Sequence, residues 1–351
     1  MTGIHGAMRA LVFSAPKQMR LETVPVPKTG PGELLVRVRY AGVCGTDVRI
    51  YLGTKRIPTP RILGHEFAGE VVASGTETTG FAEGERVVVH PMLACGRCHA
   101  CRAGRSNICL NRITLGYELD GGFADYVRIP AEFVSQGNVV HVPQSLPLRT
   151  AAVAEPFAAA LHGIHRAQLS AGQSVLLVGA GPIGLGHVLL AATAGARVLV
   201  SEPDAQKREL ATELGAQASI DPTAENVAQR VNDLTDGQGV DCVIVDVGVP
   251  SVVEDALQVV RKGGRFVLFA GMPAGDKIAI DPNWIHYREI DFTGSSSSTP
   301  SELSEVLQRA AEGRLPIERL ITGEVPLDAW ETAIANKSNY VGLKTVLAVS
   351  P

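Results

Sequence analysis

The chain has 351 residues with 32 basic and 36 acidic side chains, a formal net charge of −4, and is 45% hydrophobic and 19% charged. That composition excludes a disordered chain, and the slight acidity leaves no electrostatic footprint for nucleic acid or an anionic membrane. The longest apolar stretch, near Val188–Val200, is interrupted by glycine and Arg197 and is too short to cross a bilayer.

At roughly 150 residues per domain, the length predicts two domains. The first 150 residues read as short strands broken by turns. Met8–Phe13 opens the pattern, Leu34–Tyr40 alternates in character, and Arg86–His90 carries three consecutive valines. Pro25, Pro27, Gly30, Pro31 and Gly32 punctuate the segment, which predicts a small barrel or sandwich. Residues 1–7 read as a loose extension. From residue 151 the texture changes. An Ala-rich helix is predicted over Ala151–Gln168, a buried strand over Ser174–Val178 and a small-residue helix over Gly184–Gly195. A second buried strand follows over Ala196–Ser201, then an amphipathic helix over Asp204–Leu214. Strands at Cys242–Val247 and Arg265–Ala270 flank a helix at Ser251–Val260. Continuous apolar strands alternating with helices predict a parallel sheet covered on both faces. After about Asp291 the pattern shifts, with a serine run at Ser295–Ser298 and a helix at Pro300–Glu312.

Val175–Gly184 contains Gly179-Ala-Gly181-Pro-Ile-Gly184, a G-x-G-x-x-G run placed after a predicted strand and opening a predicted helix. The first glycine permits a tight turn, the second lets backbone approach a pyrophosphate, and the third lets helix and strand pack closely. Pro182 suits the first helical turn, and Ile183 completes the motif. The free N–H groups of such a helix start attract phosphate. About twenty residues on, Glu202 ends the next strand, where a carboxylate accepts from ribose hydroxyls and repels a 2′-phosphate. The reading is NAD rather than NADP, complicated by the nearby cations Lys207 and Arg208. Without a ligand, the same run would be only a glycine-rich turn.

Four of the six cysteines, Cys95, Cys98, Cys101 and Cys109, fall within fifteen residues. Four thiolates at that spacing suit a closed tetrahedral Zn²⁺ site with a structural role. His99 is a rival ligand. Cys44-Gly-Thr46-Asp47 and Gly64-His65-Glu66 are the other polar clusters in the first segment, and Glu155 lies at the predicted domain junction. A thiolate, an imidazole and a carboxylate together suit an open, catalytic Zn²⁺ site, but spacing alone does not bring them together. Cys242 sits on a predicted buried strand and reads as a core residue.

These marks, with Asp120-Gly-Gly-Phe-Ala-Asp-Tyr126 and Glu155-Pro156, resemble the zinc-dependent medium-chain alcohol dehydrogenases from Met8 to the C-terminus. The resemblance implies an α/β architecture: a Rossmann doubly wound parallel-sheet domain (151–294) inserted into a GroES-like β-barrel catalytic domain (1–150, with 295–351 returning to it). It also implies an active site in the cleft between them. Glu155-Pro156 and the Gly-His-Glu triplet resemble the polyol branch, sorbitol (L-iditol) dehydrogenases, and threonine dehydrogenases share much of this. By the same resemblance Cys44 and His65 are zinc ligands, and either Glu66 or Glu155 is a direct ligand or holds the zinc-bound water. Thr46 starts a proton relay, although a hydroxyl there also suits a local backbone bond. Phe269, Ala270 and Gly271 line the nicotinamide pocket, with Ser296 and Ser297 near the cofactor.

The implied reaction is hydride transfer from a secondary alcohol of a polyol or cyclitol to NAD, with zinc acting as a Lewis acid. The expected partners are a small alcohol substrate and further copies of the chain, as a homodimer or homotetramer. The segment Ile278–Tyr287 is an edge-like interface candidate. Neither nucleic acid nor membrane is expected. Met1–Ala10 lacks the apolar core of a secretory signal, so the expected location is cytoplasmic. Two departures from the family pattern stand out. Arg49 occupies the position of a relay histidine but cannot exchange protons near neutral pH, so it reads as a cofactor or anion contact. Ser295–Ser298 replaces the arginine and aromatics of sorbitol dehydrogenases. Threonine 3-dehydrogenase-like and sugar-alcohol-phosphate substrates therefore stay open, as does, more distantly, a non-catalytic dinucleotide-binding scaffold.

Overall fold

A computed structural model describes residues 6–350. The chain divides into two compact units: Met1–Glu155 with Thr299–Pro351, and Pro156–Ser298. The domain limits expected from sequence, 150 and 294, lie a few residues before these boundaries. Residues 1–5, within the expected loose extension, fall outside the described part. No helix among the described residues is long and apolar enough to cross a membrane.

The first unit is mainly antiparallel sheet. Its main sheet runs Val139–His141, Arg86–Val89, Glu66–Ser74, Leu34–Gly42, Lys344–Ala348 and Ile321–Pro326, with Tyr126–Ile129 also paired to Leu34–Gly42. A smaller sheet holds Gln18–Pro25, Ala7–Ala15 and Arg61–Ile62. Strand alternation turns Leu34, Val36 and Val38 inward onto a core with Leu11, Phe67, Phe123 and Phe133. The C-terminal strand therefore belongs to this unit. Its register is informative: Gly42 lies opposite Glu66 on one side and Val346 on the other. Cys44 is two residues beyond Gly42, and Lys344 two residues before Val346, so one strand junction gathers residues from three distant parts of the chain.

The second unit is a six-stranded parallel sheet. From edge to edge it runs Ala218–Ile220, Arg197–Ser201, Ser174–Val178, Val240–Val245, Val260–Leu268 and Asp291–Gly294. This is the 3-2-1-4-5-6 order of a dinucleotide fold. Leu176, Leu199, Val243 and Phe266 are fully buried, which matches the unbroken apolar runs that a sheet covered on both faces demands.

Several boundaries differ from the sequence reading. The Ala-rich helix is two pieces, Leu148–Ala151 and Ala154–Ala167. The helix after the glycine run starts earlier, at Pro182, because Gly181 is its N-cap and Pro182 needs no N–H there. The strand Ala218–Ile220 is too short to show a period, and the helix Val227–Leu234, capped by Asn226 with Val227, Val231 and Leu234 at helical spacing, is absent from the sequence reading although its pattern is there. Ile278–Tyr287 is no edge strand. Its second half is the helix Pro282–Arg288, and Ile278, Ile280 and Trp284 pack on the core of their own unit.

Candidate metal and dinucleotide sites

The four-cysteine lobe is closed by local turns. Cys98 caps the short helix His99–Arg102, and a turn brings Cys109 back. The four sulfurs can all lie within 4.8 Å of one another. Cys98 Sγ is 3.5 Å from Cys101 Sγ and 4.0 Å from Cys109 Sγ. A tetrahedral zinc with Zn–S near 2.3 Å places sulfurs about 3.8 Å apart, so the cage fits that ion. The backbone N–H groups of Arg97 and Cys98 draw the Cys95 thiol down to about 6, favouring the thiolate a metal needs. All six cysteines are free thiols, and His99 is exposed and outside the cluster.

The second cluster joins Cys44, His65 and Glu66, whose ligand atoms also lie within 4.8 Å. Three local devices shape it. Asp47 Oδ2 accepts the Cys44 backbone N–H at 2.8 Å at the start of helix Gly45–Tyr51, while its Oδ1 is 3.4 Å from His65 Nδ1. That leaves His65 Nε2 for a metal, in the carboxylate–histidine arrangement that orients zinc ligands. Gly64 has φ +88° and a Cβ there would meet Phe123 at 2.3 Å, so only glycine admits the turn before His65. The Asp120–Tyr126 segment braces that turn, because Gly122 and Phe123 donate to the Gly64 and Leu63 carbonyls. At Gly42 a Cβ would lie 2.4 Å from Glu66 Oε2, so glycine makes room for the carboxylate.

Glu66 is fully enclosed and forms a close ion pair with Lys344 through Oε2, while Oε1 has no hydrogen-bond partner. Lys344 Nζ also donates to the Val43 carbonyl at 3.3 Å. Burial opposes the ammonium of Lys344, but Glu66 and Cys44 outweigh it and raise its pKa. Burial likewise opposes a charge on His65, yet Tyr117, Asp47 and Cys44 hold its pKa well above the ordinary value. Glu155, in the first turn of Ala154–Ala167, lies outside the three-residue cluster. It feels the cluster electrostatically: burial pushes its carboxyl up to about 7, with His65 opposing and Glu66 reinforcing that rise. An enclosed, partnerless carboxylate oxygen beside a thiol and an imidazole is a donor set suited to Zn²⁺, and the residues fit that ion.

Around this cluster the sequence reading missed several side chains. Tyr117 sets its ring edge-on to His65 at 5.2 Å, and its hydroxyl engages Thr46. Lys55 Nζ stands 3.6 Å from the centre of the Tyr117 ring. Arg49 Nη2 donates to Thr46 Oγ1 at 3.0 Å. Thr46 Oγ1 is therefore an acceptor from a permanently protonated group, and its own hydrogen is directed to the Tyr117 oxygen or to an oxygen bound at the cluster in its place. A lysine heading the apolar run Lys344–Ala348 was the one sequence signal for Lys344.

In the second unit Gly179 has φ +100°, and a Cβ at Gly184 would lie 2.0 Å from the Gly179 carbonyl. Gly181 has open space where a Cβ would sit, leaving its backbone approachable. Glu202 is 7% exposed and built into the loop. Its Oε2 accepts from the Ala180 N–H at 2.6 Å and its Oε1 from the Asp204 N–H at 3.1 Å. The neighbouring cations are already engaged: Arg208 with Asp221 at 2.9 Å, and Lys207 with Asp204 at 3.8 Å. A cavity of about 660 Å³ is lined by Gly179, Glu202, Pro203, Thr223, Val247 and Val249 among others. Phe269, Ala270 and Gly271 follow the strand Val260–Leu268, and Ser295 N–H donates to the Leu268 carbonyl at 3.1 Å, so the serine run begins beside them. Ser296 and Ser297 continue it, the latter at φ +59°. Beneath lies a buried pair absent from the sequence reading, His187 Nδ1 and Asp246 Oδ2 at 3.0 Å. The His187 ring meets Phe269 edge-on at 4.9 Å. Cys242 is buried on its strand, away from both clusters.

Residues 30–143 match the alcohol dehydrogenase GroES-like domain, and residues 182–312 the zinc-binding dehydrogenase domain. The chain belongs to the zinc-dependent medium-chain alcohol dehydrogenases. It is 38% identical to an L-threonine 3-dehydrogenase of Pyrococcus horikoshii over 309 residues, covering 86% of each chain. It is 33% identical to an L-galactonate-5-dehydrogenase of Escherichia coli over 340 residues, 95% of this chain and 97% of that one. A zinc-binding dehydrogenase of Sinorhizobium meliloti, solved with NADP bound, superposes with a TM-score of 0.92 at 34% identity, covering 98% of this chain and 100% of that one. The protein is accordingly a zinc-type oxidoreductase with a GroES-like and a Rossmann-type domain.

Proposed function

We propose that this dehydrogenase oxidises a secondary alcohol on a short, polar carbon chain of the polyol type, with NAD as hydride acceptor. The observation that carries the reading is the Cys44–His65–Glu66 donor set with its partnerless Glu66 oxygen. A zinc ion held there supplies Lewis acidity that lowers the pKa of a substrate hydroxyl, and the dinucleotide supplies the hydride acceptor. The chain's own residues do the rest. Asp47 orients His65, Lys344 restrains Glu66, and Thr46, accepting from Arg49, offers its hydrogen to an oxygen at the cluster. The preference for NAD rests on Glu202, whose carboxylate lines the cavity beside Gly179 while Arg208 is tied to Asp221. The threonine and galactonate named for the relatives carry their reacting hydroxyl on a secondary carbon, which supports the same class here.

The test is a screen of zinc-loaded protein with polyols, cyclitols, amino alcohols and hydroxy acids, following NADH and NADPH formation. NADH formation with secondary alcohols is the expected outcome. Turnover of L-threonine with no other alcohol would replace the polyol-type reading with the threonine one. One zinc per chain confined to the four-cysteine lobe would favour a non-catalytic scaffold.

A further inference from the structure

We propose that Arg49, Lys55 and Arg112 form a receptor for a carboxylate, so that the alcohol oxidised at the Cys44–His65–Glu66 cluster is a hydroxy acid rather than a neutral polyol. The inference rests on the proposed alcohol oxidation and narrows its substrate class.

Three observations carry it. First, the cations sit beside the metal cluster. Lys55 Nζ stands 3.6 Å from the centre of the Tyr117 ring, and that ring makes a T-shaped contact with His65 at 5.2 Å, so the ammonium and a cluster residue share one aromatic neighbour. Arg49 holds Thr46, two residues from Cys44. Second, the cations crowd one another. Burial and then the charges of Arg49 and Arg112 push the Lys55 pKa down, with Glu118 and Cys44 opposing. Third, the cations lack ion-pair contacts. None of the three forms an ion pair with a carboxylate among the described residues. Arg112 Nη1 meets only the Met92 sulfur at 3.9 Å, and Glu118 Oε2 instead accepts the Thr114 N–H at 2.8 Å.

Like charges gathered beside a site for a divalent cation repel one another, and that cost is relieved by an anionic ligand. The Tyr117 ring gives Lys55 a fixed seat, since a cation over an aromatic face is attracted to it. The same positive charge could instead meet the phosphates of the dinucleotide, so the experiment separates those sources.

Zinc-loaded wild type, Lys55→Met and Lys55→Arg are compared on matched pairs, each a hydroxy acid and its primary amide: 3-hydroxybutyrate, threonine and galactonate. The wild type is expected to prefer the acid of the reactive pair. In Lys55→Met the acid-to-amide ratio of kcat/KM falls about tenfold, mostly through KM, and Lys55→Arg recovers most of it. NADH affinity, read by fluorescence, is expected to stay within about twofold in Lys55→Met. A loss of NADH affinity with an unchanged acid-to-amide ratio assigns the cluster to the dinucleotide and overturns the proposal. Equal use of acid and amide by wild type overturns it while alcohol oxidation stands. Should no alcohol be oxidised, calorimetric titration of the zinc-loaded protein with 3-hydroxybutyrate and its amide decides. Tighter binding of the acid, lost in Lys55→Met, upholds the receptor, and equal binding removes it.

Discussion

The two cysteine-bearing clusters of this protein are built in opposite ways. The Cys95–Cys109 lobe draws all its donors from one short loop, with sulfurs 3.5 and 4.0 Å apart in the closest pairs measured from Cys98. Its chemistry is uniform, and four thiolates close the coordination shell. The Cys44–His65–Glu66 cluster draws its donors from the start of the helix Gly45–Tyr51 and the start of the strand Glu66–Ser74, and mixes sulfur, nitrogen and oxygen. It also contains an enclosed carboxylate whose charge is balanced by a single buried lysine, Lys344. A closed, local cage stabilises a fold, whereas an assembled, unevenly satisfied one keeps capacity to bind something further.

Exchanging single ligands between the two roles breaks that comparison most sharply. Cys44→Ser is expected to lower turnover about a thousandfold or more while Tm stays within about 2 °C of wild type. Cys98→Ser is expected to lower Tm by about 10 °C or more and to release one zinc per chain, because metal binding in such a lobe is part of its folding free energy. Metal content and thermal melts of both variants check the pair. A large Tm loss in Cys44→Ser would mean that the roles are not separate.

The buried ion pair offers a finer cut. Lys344→Met leaves Glu66 as an uncompensated enclosed carboxylate, which costs about 3–5 kcal/mol in metal-free protein. Zinc supplies the missing positive charge, so the loss should shrink on zinc loading. Denaturant curves with and without chelator measure the difference, and an equal loss in both states would place Glu66 outside the metal's reach. In the second unit, Glu202→Ala removes the acceptor of the Ala180 N–H and should weaken NAD about tenfold and NADP less. Equal weakening of both would show that Glu202 does not read the ribose.

The smallest expected effect belongs to the cysteine outside both clusters. Burial pushes the Cys242 thiol from the ordinary thiol range near 9 up to about 12. The folded state thus favours the protonated form. The stabilising contribution is complete below pH 9 and is lost as pH rises from 9 toward 12. Cys242→Ala should flatten that part of the stability–pH curve, and an unchanged curve would assign the alkaline loss to other groups.

The glycine fingerprint, the four-cysteine lobe and the alternation of strands and helices were all legible in the sequence, because each depends on neighbours a few residues apart. The fingerprint needs a positive φ at Gly179 and no side chain at Gly184, and both are set by residue type. The helix Val227–Leu234 was legible but missed, since Val227, Val231 and Leu234 recur at helical spacing behind the cap Asn226. The strand Ala218–Ile220 was not legible, because three residues show no period and pairing on the parallel sheet makes it form. Lys55 and Tyr117 escaped for a related reason. Neither carries a motif, and their meaning comes from standing beside His65.

What the sequence determined by itself is the set of local chemistries: a phosphate-ready helix start, a thiolate cage, and isolated thiol, imidazole and carboxylate donors. What only the tertiary structure decided is which donors meet. Strand pairing sets Gly42 opposite both Glu66 and Val346, and this register brings Cys44, Glu66 and Lys344 to one junction. Hydrogen-bond register between strands far apart in the chain depends on how two buried faces fit together, and no spacing along the sequence encodes that fit.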